Sequence, residues 1–313
     1  MEYAGIMENW DNLNHEELFE IAVKLKKDKN CFVLAHNYQF MEVQQIADFV
    51  GDSLQMAKVA AETDADMILL CGIKIMAETA KILNPDKKVL MAHPDADCRL
   101  AMMKDPDDLR KLKQKYPDAE VVCYVNSPAS LKAESTITCT SANAIAVVNS
   151  IPDNKTIIFV PDCNIGAWVQ YKTGRKLIMF DSYCYVHHNI TLQDVLKLRD
   201  IYPDYQLIVH PECNLDVCKN ADQVLSTGQM IDFVQHNDKV IIGTEIGLYD
   251  QLKYRFPFKK LVPLCSRMTC EDMKKTTLLS AVKSLYYDQN EVEVPDEIRK
   301  KSLKSLERMF EVI

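Results

Sequence analysis

Three cysteines constrain this chain more than any other feature: Cys98, Cys184 and Cys270 follow one another at intervals of 86 and 86 residues. The segments around them share the interval. Tyr116-Pro117-Asp118 and Tyr202-Pro203-Asp204, also 86 apart, each follow a charged helical pattern (DDLRKLKQK, LQDVLKLRD) and precede strand-like runs ending at Tyr124 and His210. An earlier unit leads from NHEELFEIAVKLKKDKN into a run ending at His36. Seventeen residues beyond each of these ends stands a hydroxyl, Ser53, Ser141 or Thr227, at the opening of a new helical pattern. Such a period is too long for a solenoid repeat and suits a small αβα layer of about four strands. The chain therefore reads as three homologous units around a pseudo-threefold axis. Their expected spans are 1–97 with 271–313, then 98–183, then 184–270. The two helical patterns after Cys270 are expected to complete the outer face of the first unit.

Hydrophobic patterning gives the fold class. Strand-like runs at 31–36, 66–72, 87–93, 119–125, 155–161, 176–180, 205–210, 239–244 and 259–264 alternate with amphipathic patterns such as EVQQIADFV, LQMAKVAAE, IMAETAKIL, NAIAVVN, GQMIDFVQH and IGLYDQLKYRF. That alternation predicts α/β layers with small parallel sheets and helical crossovers. A formal charge of −8 leaves no basic footprint for a nucleic-acid backbone. The longest uncharged stretch, 135–152, holds eight Ser, Thr or Asn residues and ends in Pro, which excludes it as a membrane span. With an acidic amino terminus lacking an export pattern, the sequence predicts a cytoplasmic protein.

Eleven cysteines without a CxxC pair argue against a disulfide framework, a zinc ribbon or a thioredoxin-like motif. Cys31, Cys71, Cys123 and Cys139 lie in apolar runs and read as buried small hydrophobes. Cys163, Cys213, Cys218 and Cys265 fall outside the repeated position. Threefold packing brings Cys98, Cys184 and Cys270 together, and three is the informative number. A structural zinc site takes four protein ligands, whereas a 4Fe-4S cluster on three cysteines leaves one iron open to substrate. Cys265, five residues before Cys270, is the competing third ligand.

Ligands of parallel sheets bind beyond the carboxyl ends of the strands. The three run ends read His36-Asn37-Tyr38, Tyr124-Val125-Asn126-Ser127 and His210-Pro211-Glu212. Turned toward one axis, they collect two imidazoles, two phenols, amide and hydroxyl donors and a carboxylate in one cavity. Ser53, Ser141 and Thr227 suit two roles that can coexist: helix N-caps, or part of an anion site at helix N-termini.

The strings LAHNYQ (34–39), EVQQIADFVGDSLQMA (42–57), MAETAKILNPDKKV (76–89), YVNS (124–127), CTSANA (139–144), HPEC (210–213), STGQM (226–230), GTEIG (243–247) and MKKTTL (273–278) resemble the quinolinate synthase family of de novo NAD biosynthesis. The resemblance runs from about residue 15 to the end. It implies three pseudo-symmetric αβα domains around an oxygen-sensitive 4Fe-4S cluster on Cys98, Cys184 and Cys270. The implied reaction condenses iminoaspartate with dihydroxyacetone phosphate, releasing phosphate and two waters to give quinolinate. It also suggests a functional link to an enzyme that produces iminoaspartate. By motif, His36 and Ser53 resemble contacts to the dicarboxylate, with Ser141, Tyr124 and Asn126 completing the pocket. Tyr38 resembles a mobile acid/base tyrosine, Glu212 the catalytic base, and His210 a ligand to the triose. Thr227 and Gly228 resemble a phosphate anchor, and His187 a contact to a ring-side carboxylate.

Two rival readings remain at this point. Another 4Fe-4S hydro-lyase would use the open iron for dehydration alone and needs no phosphate anchor. A non-catalytic cluster-bearing redox sensor needs no His, Tyr and Glu at its strand ends.

Overall fold

The structure, a computed structural model, describes residues 10–312. Its first unit runs α1 (His15–Asp28), β1 (Cys31–His36), α2 (Met41–Ile46), β2 (Phe49–Gly51), α3 (Ser53–Glu62), β3 (Met67–Cys71), α4 (Lys74–Leu83) and β4 (Lys88–Met91). The second runs α5 (Arg99–Met102), α6 (Pro106–Lys115), β5 (Glu120–Tyr124), α7 (Ala129–Ala133), β6 (Ile137–Cys139), α8 (Ala144–Ser150), β7 (Ile157–Val160), α9 (Cys163–Thr173) and β8 (Leu177–Met179). The third runs α10 (Tyr185–His188), α11 (Leu192–Ile201), β9 (Gln206–Val209), α12 (Leu215–Lys219), β10 (Gln223–Val224), α13 (Thr227–His236), β11 (Lys239–Gly243), α14 (Ile246–Arg255) and β12 (Lys260–Pro263). Helices α15 (Leu278–Tyr287) and α16 (Asp296–Phe310) close the chain.

Each unit contributes one four-stranded parallel sheet with the same order: β2-β1-β3-β4, β6-β5-β7-β8 and β10-β9-β11-β12. Strands buried on both faces, such as Met67–Cys71, are continuously apolar because helices cover each side. Each fully buried Leu or Ile contributes roughly 1.5–3 kcal/mol, which outweighs the weak helix propensities of the short crossovers. The fold class is thus the α/β arrangement of three αβα layers that the sequence predicts.

The second strand of each unit is new. Residues 42–50, expected to be one helix, break at Ile46, and Phe49–Gly51 form an edge strand. Its equivalents are β6 and β10. These strands are two or three residues long and pair on one side only, too short for an alternation pattern. A polar residue twelve positions past His36, Tyr124 or His210 docks each of them. Val33, Val121 and Leu207 donate their N–H to Asp48 Oδ2 (2.7 Å), Thr136 Oγ1 (2.9 Å) and Asp222 Oδ2 (2.6 Å). The amides of Asp48, Thr136 and Asp222 donate back to the carbonyls of the same three residues.

Helix α15 packs on α1 and β4, over the first sheet. Helix α16, read from sequence as part of the same outer face, instead lies across α7 and β6 of the second unit. There Ser305 Oγ lies 3.1 Å from Thr138 Oγ1. The apolar cores merge at the junctions: one cluster joins the first and third units through Leu70, Met76, Ile242 and Leu252, and another joins Leu54 and Ile82 to the second unit.

Candidate active site

The site is assembled from the carboxyl ends of β1, β5 and β9, and the same tether shapes all three. Counted from His36, Tyr124 and His210, the side chain eight residues on bonds to the carbonyl three residues on. Gln44 Nε2 donates to Gln39 O (2.9 Å), Lys132 Nζ to Ser127 O (2.8 Å), and Cys218 Sγ to Cys213 O (3.4 Å). Three chemistries thus hold one backbone shape. Lys132 is fully buried, and burial lowers its pKa to about 8.

Within this frame His36 Nδ1 accepts the Tyr38 N–H (3.1 Å), so its proton sits on Nε2. Burial, reinforced by His210, lowers the His36 pKa to about 3, and burial lowers that of His210 as well. His36 is therefore neutral near pH 7. Burial alone would raise the Glu212 carboxyl, but His187 and His210 outweigh it and hold it well below the ordinary range. Their Nδ1 atoms lie 2.9 and 3.2 Å from Glu212 Oε2. Tyr38 and Tyr124 are raised by burial and then by the Glu212 charge, so both remain phenols. The Tyr38 hydroxyl lies 2.6 Å from Thr244 Oγ1 and 3.4 Å from His187 Nε2.

A cavity of about 30 Å³ lies among these groups. His36, Tyr38 and Ser53 line it from the first unit, Tyr124, Asn126 and Ser141 from the second, and His210, Glu212 and Thr227 from the third. Hydrogen bonds cross the junctions: Asn37 Nδ2 donates to Thr227 Oγ1 (2.9 Å) and Ser53 Oγ to Asn126 Oδ1 (3.3 Å). His187 sits behind this surface, bonded to Thr244 Oγ1 (2.9 Å) and beside Glu212. Gly228 packs on the first unit, where a Cβ would stand 2.8 Å from Asp52 Oδ2.

The capping expectation for the three hydroxyls is corrected. Asp52, one residue before Ser53, caps α3 through the Leu54 and Gln55 amides, and Ser226, one residue before Thr227, caps α13 through the Gln229 amide. Gln55 and Gln229 return the bond to the cap backbone, completing two capping boxes. Ser141 lies in a turn where Asn143 Oδ1 accepts the Thr140 N–H (2.7 Å). None of the three hydroxyls is therefore engaged in capping. Asp52 and Thr244 are site residues that the sequence reading passed over, although both lie inside quoted strings, GDS and GTEIG.

Cys98, Cys184 and Cys270 are half-buried, and each lies where two cores meet. Cys98 touches the first–third and second cores, Cys184 the second and third, and Cys270 the first–third and third. Burial raises all three thiols; Cys270 adds to the shift at Cys98, and Cys98 and Cys270 add to that at Cys184. The three thiols therefore lie near enough to influence one another electrostatically, in apolar surroundings that penalise a bare thiolate. Three soft donors in such a place suit a thiophilic metal group. Cys265 packs only on the third core, with Arg267 and Asp194 as its charged neighbours. A second donor set, Cys184, His187 and Glu212, has its ligand atoms within 4.8 Å of one another. There the His187 nitrogen already bonds to both the thiol and the carboxylate.

Comparison with known proteins names this arrangement. The family model described as "Quinolinate synthetase A protein" matches residues 20–311. The chain is 45% identical over 303 residues to the quinolinate synthase of Alkaliphilus metalliredigens, covering 96% of this chain and 100% of that one. It is 47% identical over 291 residues to that of Dehalococcoides mccartyi, covering 92% and 96%. It is 44% identical over 314 residues to quinolinate synthase 2 of Methanosarcina acetivorans, covering 100% and 99%. The matched span takes in all three sheets, the cavity and the three cysteines, and the chain belongs to the quinolinate synthetase A family.

Proposed function

We propose that this chain is a quinolinate synthase that condenses iminoaspartate with dihydroxyacetone phosphate, releasing phosphate and two waters, with a 4Fe-4S cluster on Cys98, Cys184 and Cys270. What supports the reading is that each of those cysteines, one from each repeat, lies where two cores meet, near a cavity lined by Glu212, Tyr38 and Tyr124. The reading keeps the division into 1–97 with 271–313, 98–183 and 184–270, except that α16 packs on the second unit. When bound, a cluster with three protein ligands supplies a Lewis-acidic iron that polarises substrate oxygens and eases departure of hydroxide.

The chain's own residues do the rest. Glu212, ionised and oriented by His187, takes the proton whose loss makes the enamine nucleophile. Tyr38, a phenol hydrogen-bonded to Thr244, returns a proton to a departing oxygen. His36 presents its Nε2–H, with Ser53, Ser141, Tyr124 and Asn126, to the dicarboxylate. His210, Thr227 and Gly228 face the triose phosphate at the start of α13, where backbone amides favour an anion. His187, behind the cavity wall and bonded to Thr244 and Glu212, reaches the ring-side carboxylate only by giving up one of those bonds. Closure of this narrow cavity over the substrates would keep water from the imine, which hydrolyses readily. No described helix is long and apolar enough to cross a membrane.

The test is quinolinate formation by the anaerobically reconstituted protein from freshly generated iminoaspartate and dihydroxyacetone phosphate. Product from the iron-loaded sample and none from the iron-free one is the expected result. An iron-loaded sample that forms no quinolinate contradicts the substrate assignment.

A further inference from the structure

The amide of each cysteine in the trio ends on a carboxylate. In the second unit Asp162 Oδ2 accepts the Cys184 N–H (3.2 Å), while its Oδ1 accepts that of Ile165 (2.8 Å). In the third, Glu245 Oε1 accepts the Cys270 N–H (3.0 Å), while its Oε2 accepts that of Gly247 (2.7 Å). These two acids occupy one structural position, two residues past the ends of the equivalent strands β7 and β11, and both are 0% exposed. The first unit has Ile73 there, two residues past β3, and the Cys98 N–H is taken by Asp97 Oδ1 (2.8 Å).

Helix capping alone does not account for Asp162 and Glu245. A surface Ser or Asp caps a helix well, and burying a carboxylate is expensive unless its bonds are needed. The bonds that set these two acids apart from ordinary caps reach 22 and 25 residues along the chain to the cysteine backbones. Glu245 reaches further. Lys274 Nζ lies 3.2 Å from its carboxylate and donates to the Tyr38 carbonyl (2.5 Å). Position 247 is glycine where a Cβ would collide with that same Tyr38 carbonyl and with Lys274 Nζ.

We propose that Asp162 and Glu245 are positioning residues that fix the backbones of Cys184 and Cys270, and that Lys274 carries the hold from Glu245 to the loop bearing Tyr38. The proposal rests on the reading of Cys98, Cys184 and Cys270 as iron ligands. In Asp162→Asn and Glu245→Gln one acceptor oxygen becomes an N–H donor, so one of the two backbone amides loses its partner. Either the cysteine amide loses its acceptor outright or it keeps one at the expense of the helix amide beside it, and in both cases the paired hold on the cysteine backbone is broken. In Lys274→Met both cysteine amides keep their acceptors, while the ion pair with Glu245 and the tie to Tyr38 are both cut.

The experiment compares the iron-loaded full chain with Asp162→Asn, Glu245→Gln, Glu245→Asp and Lys274→Met. It measures irons per chain, the rate at which the ferrous chelator ferrozine strips them anaerobically, the melting temperature, and kcat and KM separately. Asp162→Asn and Glu245→Gln are expected to lose iron at least tenfold faster than wild type, at a melting temperature within a few degrees of it. Glu245→Asp, which keeps the charge but withdraws it by one methylene, falls between. Lys274→Met is expected to release iron at the wild-type rate while kcat drops about tenfold and KM stays put. Wild-type stripping rates in every folded carboxylate variant overturn the hold on the cysteines, and a wild-type kcat in Lys274→Met overturns the link to Tyr38. If a carboxylate-to-amide variant does not fold, Glu245→Asp decides: faster stripping supports the proposal and an unchanged rate rejects it. A wild-type protein that binds no iron defeats the ligand reading instead, a distinguishable failure.

Discussion

The ends of β1 and β9 share a device that the end of β5 lacks. At the first two, a histidine accepts the amide two residues on, 3.1 Å at His36 and 3.3 Å at His210. At the third, Tyr124 stands in the same place and its hydroxyl accepts from Asn126 Nδ2 (2.9 Å). The tether to the carbonyl three residues on from His36, Tyr124 and His210 is common to all three. The residue two on differs each time: Tyr38, Asn126 and Glu212. One backbone frame, repeated, therefore presents an acid, an amide and a base to one cavity. The repeat sets where groups stand, and divergence at single positions sets what they do.

The sharpest way to break this comparison is to exchange chemistry at that position. Glu212→Gln keeps the shape and removes the proton acceptor, so kcat is expected to fall by about 10²–10⁴ with iron content unchanged. Asn126→Ala, at the equivalent place in the second unit, removes only a binding contact. It is expected to raise KM by about tenfold or less with kcat little altered. Steady-state kinetics on both variants decides, and equal kcat losses would mean that the two loops do not have separate roles.

A second test uses acid. Because the His36 pKa is lowered to about 3 from 6.5, the unfolded chain binds more protons than the folded one between those values. Stability therefore falls as pH drops from about 6.5 toward 3. His210, also lowered, adds to this, and Glu212, a carboxylate held below its usual range, adds a further loss below about pH 4.5. At the equivalent position the second unit has Tyr124, a phenol raised by burial that does not titrate in this range. Urea midpoints measured across pH 3–7 should decline for wild type and flatten for His36→Gln; parallel curves would contradict the neutral-imidazole assignment.

The smallest effect separates caps from site hydroxyls. Ser226→Ala removes a cap and is expected to cost about 1 kcal/mol of stability, while Ser53→Ala stays within about 0.5 kcal/mol. Thermal unfolding distinguishes them, and the reverse order would restore Ser53 to the capping role.

Much of this molecule is written in its sequence because repetition multiplies a weak signal. A lone histidine at a strand end says little, but His36, Tyr124 and His210 at matching offsets locate one cavity, and the 86-residue cysteine interval locates the sulfur trio. The edge strands were hidden for a physical reason: Phe49–Gly51, Ile137–Cys139 and Gln223–Val224 are held by reciprocal bonds from Asp48, Thr136 and Asp222 rather than by a hydrophobic pattern. The recurrence of those polar residues was the available clue. Asp162 and Glu245 were illegible for a different reason. Their partners are backbone amides more than twenty residues away, and a backbone amide leaves no trace in side-chain identity. Helix α16 went to the second unit because its buried face, Ser302, Ser305, Leu306 and Met309, combines small residues with two large ones. That face fits the surface of α7 and β6, a match no periodicity reveals.

The central claim is that one cysteine from each repeat holds the metal group. It is tested most directly by counting irons per chain in anaerobically reconstituted Cys98→Ala, Cys184→Ala, Cys270→Ala and Cys265→Ala proteins, alongside wild type. The account predicts that the first three lose the cluster and its visible absorption, while Cys265→Ala keeps wild-type iron. A Cys265→Ala protein without iron, beside a Cys270→Ala protein that retains it, would contradict the threefold assignment.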